Sequence, residues 1–159
     1  MATAGIWTPW AEVLCATCHG PKFGDKKQPE ADFQKRCTEA VLVTDELGLC
    51  HCDKCKAPVA VRRDVAAYSR LRDAFRARGG VTASLRQTGG MCAALAVCRE
   101  NTEAPLVFIA GFDDTDSYCA GKYLTEDDVY NGDSDSTALG EYITETEIVE
   151  ATRKALEIL

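Results

Sequence analysis

The chain carries two pairs of thiols at one spacing, Cys15-Ala-Thr-Cys18 and Cys52-Asp-Lys-Cys55. Thiolates are soft ligands, and zinc takes four of them tetrahedrally. Two residues between cysteines let a single tight turn aim both sulfurs at one ion. Four thiolates close the coordination sphere and leave no position for water. Cys15, Cys18, Cys52 and Cys55 therefore predict a structural Zn2+ site rather than a catalytic one. Cys50, His51, His19 and Cys37 are near enough in sequence to replace one ligand. Iron is the competing occupant of a four-cysteine site, and spacing alone does not exclude it. The first pair also reads Cys15-Ala-Thr-Cys18-His19, the haem attachment pattern C-x-x-C-H. Haem attachment generally needs export, no export signal is visible, and the second pair would lack a partner. Zinc is the better reading.

Four other groups could carry chemistry. In Arg86-Gln-Thr-Gly-Gly-Met91 the glycines could expose N–H groups to an anion, with Arg86 supplying charge. A small ligand or nucleotide near Gly89-Gly90 is one reading; a plain hairpin turn is the simpler one. Nothing there matches a phosphate-loop or dinucleotide pattern. Lys54, Lys56, Arg62, Arg63, Arg70 and Arg76 could track nucleic-acid phosphates, or form a solvated face paired with acidic residues elsewhere. Asp113, Asp114, Asp116, Glu126, Asp127, Asp128, Asp133 and Asp135 could hold a hard cation or imitate a phosphate backbone, but the calcium-loop spacing fails and a solubilising loop explains them. Cys92, Cys98 and Cys119 read as thiols buried in a sheet. The only histidines, His19 and His51, lie in the metal segment, so no base is supplied to activate them.

The elements that must position these residues follow from pattern. Within 159 residues, 1–62 read as a zinc-ribbon module and 63–159 as an α+β domain. In the first, residues 20–36 are a polar loop, Ala40-Val-Leu-Val43 a strand, Asp45–Gly48 a turn, and Pro58–Val61 a strand leaving the site. Asp64 is the expected N-cap of a helix over 65–78 with Val65, Tyr68, Leu71 and Phe75 as its buried stripe. Gly79-Gly80 ends it. Val81, Ala83 and Leu85 alternate with polar residues, as a half-buried strand does. Met91–Cys98 is apolar throughout and should be a central strand; Leu106–Phe112 and Tyr118–Leu124 follow. Residues 125–140 read as a long exposed loop. Thr144 and Glu147 form a capping box, with Ile143 and Ile148 as its staple, for a final helix buried through Ile148, Ala151, Ala155, Leu156 and Leu159. The expected order is α-β-β-β-β-α, a mostly antiparallel sheet with helices on one face.

Charge is unevenly spread. The net charge is −7, but residues 51–99 carry ten basic against three acidic side chains, +7, and residues 100–159 carry fifteen acidic against three basic, −12. Mutual neutralisation of the two segments is the expected outcome. No run approaches the length that spans a bilayer, and the N-terminus lacks a signal-peptide pattern, so a cytoplasmic protein with reduced thiols is expected.

The tail of the second thiol pair, Cys52-Asp-Lys-Cys55-Lys-Ala-Pro-Val59, then Arg63-Asp-Val65, a helix, and Gln87-Thr-Gly-Gly-Met-Cys92, resembles small zinc-ribbon proteins of actinobacteria and their phages. The likeness covers residues 50–98. It implies a fold and a bacterial or phage setting, the latter placing the protein in host cytoplasm, but no chemistry. The sequence thus points to a non-enzymatic binding or regulatory protein. Its expected partner is another protein, with nucleic acid through 54–78 and a small ligand near Gly89-Gly90 as alternatives.

Overall fold

The computed structural model describes residues 3–7, 12–19, 47–89, 92–112, 116–131 and 137–159. The expected loop at 20–36, the strand at Ala40–Val43 and the first half of the turn after it lie outside these residues, while Leu47 and Gly48, expected in that turn, belong to a strand. The chain divides into two compact units. The first comprises Met1–Ser69 and Gln87–Cys92; the second comprises Arg70–Arg86 and Ala93–Leu159.

In the first unit the strands among the described residues form a four-stranded sheet of order β2-β1-β4-β3. Its strands are β1 (Thr3–Trp7), β2 (Val13–Cys15), β3 (Leu47–His51) and β4 (Pro58–Arg62). β3 and β4 form an antiparallel hairpin, Leu47 opposite Arg62 and His51 opposite Pro58. β1 runs antiparallel to β2 and parallel to β4, where Thr3 faces Val59. A single helical turn, α1 (Ala16–His19), follows β2 directly.

Helix α2 (Arg63–Arg78) begins in the first unit and continues into the second. Its expected stripe of Val65, Tyr68, Leu71 and Phe75 is fully buried, but so are Ala66, Ala67 and Ser69. The first two turns are therefore enclosed on every side, which small residues permit. One cause is a close approach by β3: a Cβ on Gly48 would stand 2.6 Å from that of Ala66. Asp64 does not cap the helix, which starts one residue earlier. It sits in the first turn and takes the guanidinium of Arg62, Nε to Oδ1 at 3.0 Å, with both side chains buried. A buried charge requires such a partner. Gly79 and Gly80 end α2 at φ +69 and +76, conformations that cost glycine little.

The second sheet has the order β5-β6-β7-β8-β9. It consists of β5 (Val81–Gly89), β6 (Cys92–Arg99), β7 (Leu106–Ala110), β8 (Tyr118–Tyr123) and β9 (Thr137–Tyr142). β6 through β9 pair antiparallel. On β5, Val81, Ala83 and Leu85 are buried as the alternation requires. β6 is buried along Ala93–Val97, as its continuous apolar run predicts.

The region expected to be one long loop instead holds a helix, α3 (Glu126–Asn131), and the fifth strand, β9. The order is thus α-β-β-β-β-α-β-α. Helices also cover both faces of the sheet rather than one. Ala94, Ala96, Leu106 and Phe108 share one face, and Val129 of α3 packs on it. Lys122, which sits opposite Val107 on the other face, donates through Nζ to the Ala155 carbonyl of the last helix, α4 (Glu145–Ala155), at 2.8 Å.

The capping box of α4 is present. The Glu147 N–H donates to Thr144 Oγ1 at 3.2 Å, and the Thr144 N–H donates to the Glu147 carboxylate at 3.1 Å. The staple does not form, because Ile143 is 78 % exposed while Ile148 is buried. The buried stripe is Ile148, Val149, Thr152 and Leu156; Leu159 is exposed. No described helix is long and apolar enough to cross a membrane.

Candidate metal centre

The four expected ligands converge. The sulfurs of Cys15, Cys18, Cys52 and Cys55 all lie within 4.8 Å of one another. Cys15 Sγ and Cys55 Sγ, from different pairs, are 3.7 Å apart. Four sulfurs about 2.3 Å from a central zinc stand about 3.8 Å from each other, so this separation matches the edge of such a tetrahedron. None of the four is tied up in a disulfide.

The backbone explains the convergence. Cys15 ends β2, and the turn of α1 brings Cys18 round so that its N–H donates to Cys15 Sγ at 3.4 Å. Cys52 and Cys55 occupy the tip of the β3–β4 hairpin. There the Cys52 N–H donates to the Ala57 carbonyl and the Lys56 N–H to the Cys52 carbonyl, both at 2.9 Å. Lys56 closes this loop in the left-handed region, φ +61. Asp53 then clamps one pair to the other. Its N–H donates to the Val13 carbonyl at 2.8 Å, and its carboxylate accepts the Val13 N–H at 2.8 Å.

The electrostatics suit a cation. Burial pushes the Cys52 thiol up, but the backbone N–H groups of Cys55, Cys15 and Lys54 around its sulfur outweigh this and bring it down to about 6. Hydrogen bonding to Cys55 first, and then to Cys15, pushes the Cys18 thiol up to about 12. Without an ion, the cluster shares protons among its sulfurs; a soft cation replaces them. Two of the residues named as substitutes stand outside the cluster: Cys50 is buried on β3, opposite Val59, and His51 is exposed opposite Pro58; the side chain of His19 is not described. Cys37 lies outside the described residues. A donor set of four thiolates fits a structural metal ion.

The other candidates are placed as follows. Lys54, Lys56 and Arg76 are exposed, and Arg63 is half-buried. Arg62 is 5 % exposed and engaged by Asp64, so it offers no surface to a phosphate. Within the second unit, Arg70 pairs with Glu145, Arg78 with Glu150, Arg86 with Glu126 and Arg99 with Glu157. Each of these joins the basic segment to the acidic one. The two charge blocks neutralise each other, at those positions, inside one fold.

Arg86 does line a hollow, though not one at Gly89-Gly90. Gly89 ends β5, and Gly90 lies outside the described residues. The hollow, about 460 Å³, opens over the β5–β6 part of the sheet. Arg86, Ser84, Cys98, Thr102, Glu103 and Glu126 are among its lining. Cys98 donates to the Thr102 carbonyl at 3.0 Å, and burial raises its thiol. Of the expected buried thiols, Cys98 alone is half-buried; Cys92 and Cys119 are exposed. Phe112 stacks on Tyr118 at 4.8 Å, and burial pushes the Tyr118 hydroxyl up to about 12.

Sequence reasoning had no signal for the Asp53 clamp, since no pattern marks a side-chain bond across 40 residues. Compared with known proteins, the chain matches no family model, no curated protein and no solved structure.

Proposed function

We propose that this chain is a non-enzymatic recognition protein whose N-terminal unit is a zinc ribbon held by Cys15, Cys18, Cys52 and Cys55, and that its partner is another protein. One observation carries the reading: four sulfurs from segments some forty residues apart lie within 4.8 Å of one another, and one pair across the two segments stands at 3.7 Å, near the edge length of a tetrahedral thiolate site. A closed thiolate sphere has no position for a reacting water, so the ion's work is to hold the fold. The proposal extends to interference with a host system, which the phage setting implied by the resemblance of residues 50–98 would suggest.

Elemental analysis tests the metal. One zinc per chain is expected, and Cys52→Ser should lose it and unfold the first unit, because in small modules metal-binding energy is folding energy. Cys98→Ser, outside the cluster, should keep both. A fully folded protein free of metal in which Cys52→Ser changes nothing overturns the reading. Retention of a defined protein partner by the wild type, lost with Cys52→Ser, tests recognition separately.

A second reading rests on the hollow beside Arg86, whose volume falls in the range of small-molecule sites. A thermal-shift panel of nucleotides and small zwitterions should stabilise the wild type but not Arg86→Ala. A flat panel removes this reading.

A further inference from the structure

From the open end of the second sheet we infer a docking surface for a basic, apolar-tipped segment of a partner protein, centred on Ile143. This deepens the protein-recognition reading and rests on it. Three observations meet there. β9 is the edge of its sheet, and among the described residues no strand pairs with its outer side. Ile143, just past its end, is 78 % exposed although it immediately precedes the α4 cap. A hollow of about 490 Å³ runs between strand and helix, lined by Glu141, Tyr142, Ile143, Thr146, Glu147 and Glu150.

The chemistry of that lining selects the occupant. Each of the three glutamates commits one oxygen within the fold. Glu141 accepts from the Ser117 hydroxyl through Oε1, Glu147 from Thr144 through Oε2, and Glu150 takes Arg78 through Oε1. The Glu147 carboxylate also takes the Ile143 backbone N–H, whereas the second oxygens of Glu141 and Glu150 have no protein partner among the described residues. Two unspent carboxylate oxygens, with the Glu147 carboxylate beside them, around one apolar side chain fit a lysine- or arginine-bearing segment that inserts a single aliphatic residue. A second copy of this chain fits poorly, since residues 100–159 carry −12 and two such surfaces repel. The edge is not read along its whole length. At Gly140, φ +126, and where the register shifts beside Ala120 and Gly121, regular pairing is broken. Such bulges blunt an edge. The segment is therefore held by Glu141–Ile143 and α4.

The test titrates the full zinc-loaded chain with short lysine-rich peptides carrying one leucine, and with matched peptides in which glutamate replaces lysine, reading backbone amide shifts. Shifts confined to residues 141–150, seen with the basic peptides only and weakening as salt rises, are expected. Ile143→Ser, at an exposed position, should fold normally and weaken binding roughly tenfold; Glu150→Lys should weaken it as well. Equal binding of the acidic peptides, shifts elsewhere, or an unchanged affinity for Ile143→Ser overturns the assignment. So does concentration-dependent dimerisation through the same residues by ultracentrifugation. If zinc and a protein partner are retained while Ile143→Ser binds as before, this surface fails and the broader reading stands.

Discussion

Cys18 and Cys52 respond oppositely to one crowded site. With its thiol near 12, Cys18 is protonated at neutral pH, whereas Cys52, near 6, is largely ionised. Loading zinc at pH 7 should therefore expel at least one proton, from Cys18. Titration calorimetry in buffers of different ionisation enthalpy measures it; an enthalpy that does not depend on the buffer sinks the assignment. A second residue makes an independent prediction. Thr152 is fully buried on α4, and its hydroxyl has no partner among the described residues. Replacing an unsatisfied buried hydroxyl by a methyl group removes a desolvation cost of about 1–3 kcal/mol. Thr152→Val should raise stability in denaturant titration, and a clear loss would show that the hydroxyl has a partner. The clustering of Cys15, Cys18, Cys52 and Cys55 was legible from sequence because Cys-x-x-Cys spacing encodes a turn. The clamp of Asp53 on Val13 was not, because only the folded hairpin brings them together.

At the level of elements, legibility tracked burial. β5 was visible because Val81, Ala83 and Leu85 alternate with polar neighbours, and β6 because Ala93–Val97 is apolar on both faces. α3 and β9 were invisible for the converse reason. No residue of α3 is fully buried, and no residue of β9 is either, so neither leaves an apolar period in the sequence. β9 is recognised as a strand only by its pairing with β8. α4 was legible at its start, through the capping box. Thr144→Ala should destabilise the second unit by about 1 kcal/mol, read by denaturant unfolding. The Thr144 hydroxyl bond to Glu147, with help from the backbone, holds the Glu147 carboxyl below its ordinary 4.5. A lowered acid stabilises the fold fully above its unfolded value and loses that contribution as pH falls through the folded one. The Thr144→Ala deficit should hence shrink below pH 4.5; an equal deficit at pH 3 would count against the box.

Over the whole molecule, charge was legible in amount but not in pairing. Sequence showed a basic block and an acidic one; only the fold assigns Arg70 to Glu145, Arg78 to Glu150 and Arg86 to Glu126. These pairs are half-exposed, so each adds little to stability, about 0–1 kcal/mol. Their larger effect is on partners, because a guanidinium held by a carboxylate is poorly placed to release counterions from a phosphate chain. With a net charge of −7, the protein should pass through heparin at about 0.15 M salt without retention. Firm retention that weakens steeply with salt would restore nucleic acid as the partner.

The exposed positions of Cys92 and Cys119 give the molecule a built-in gauge. Neither belongs to the four-sulfur cluster, so an alkylating reagent can reach both whether or not an ion is held. The cluster thiols should stay silent until the ion departs and then react together. Intact-mass increments on one sample would accordingly count empty and filled molecules side by side, with Cys92 and Cys119, two of the sulfurs outside the cluster, as the internal standard.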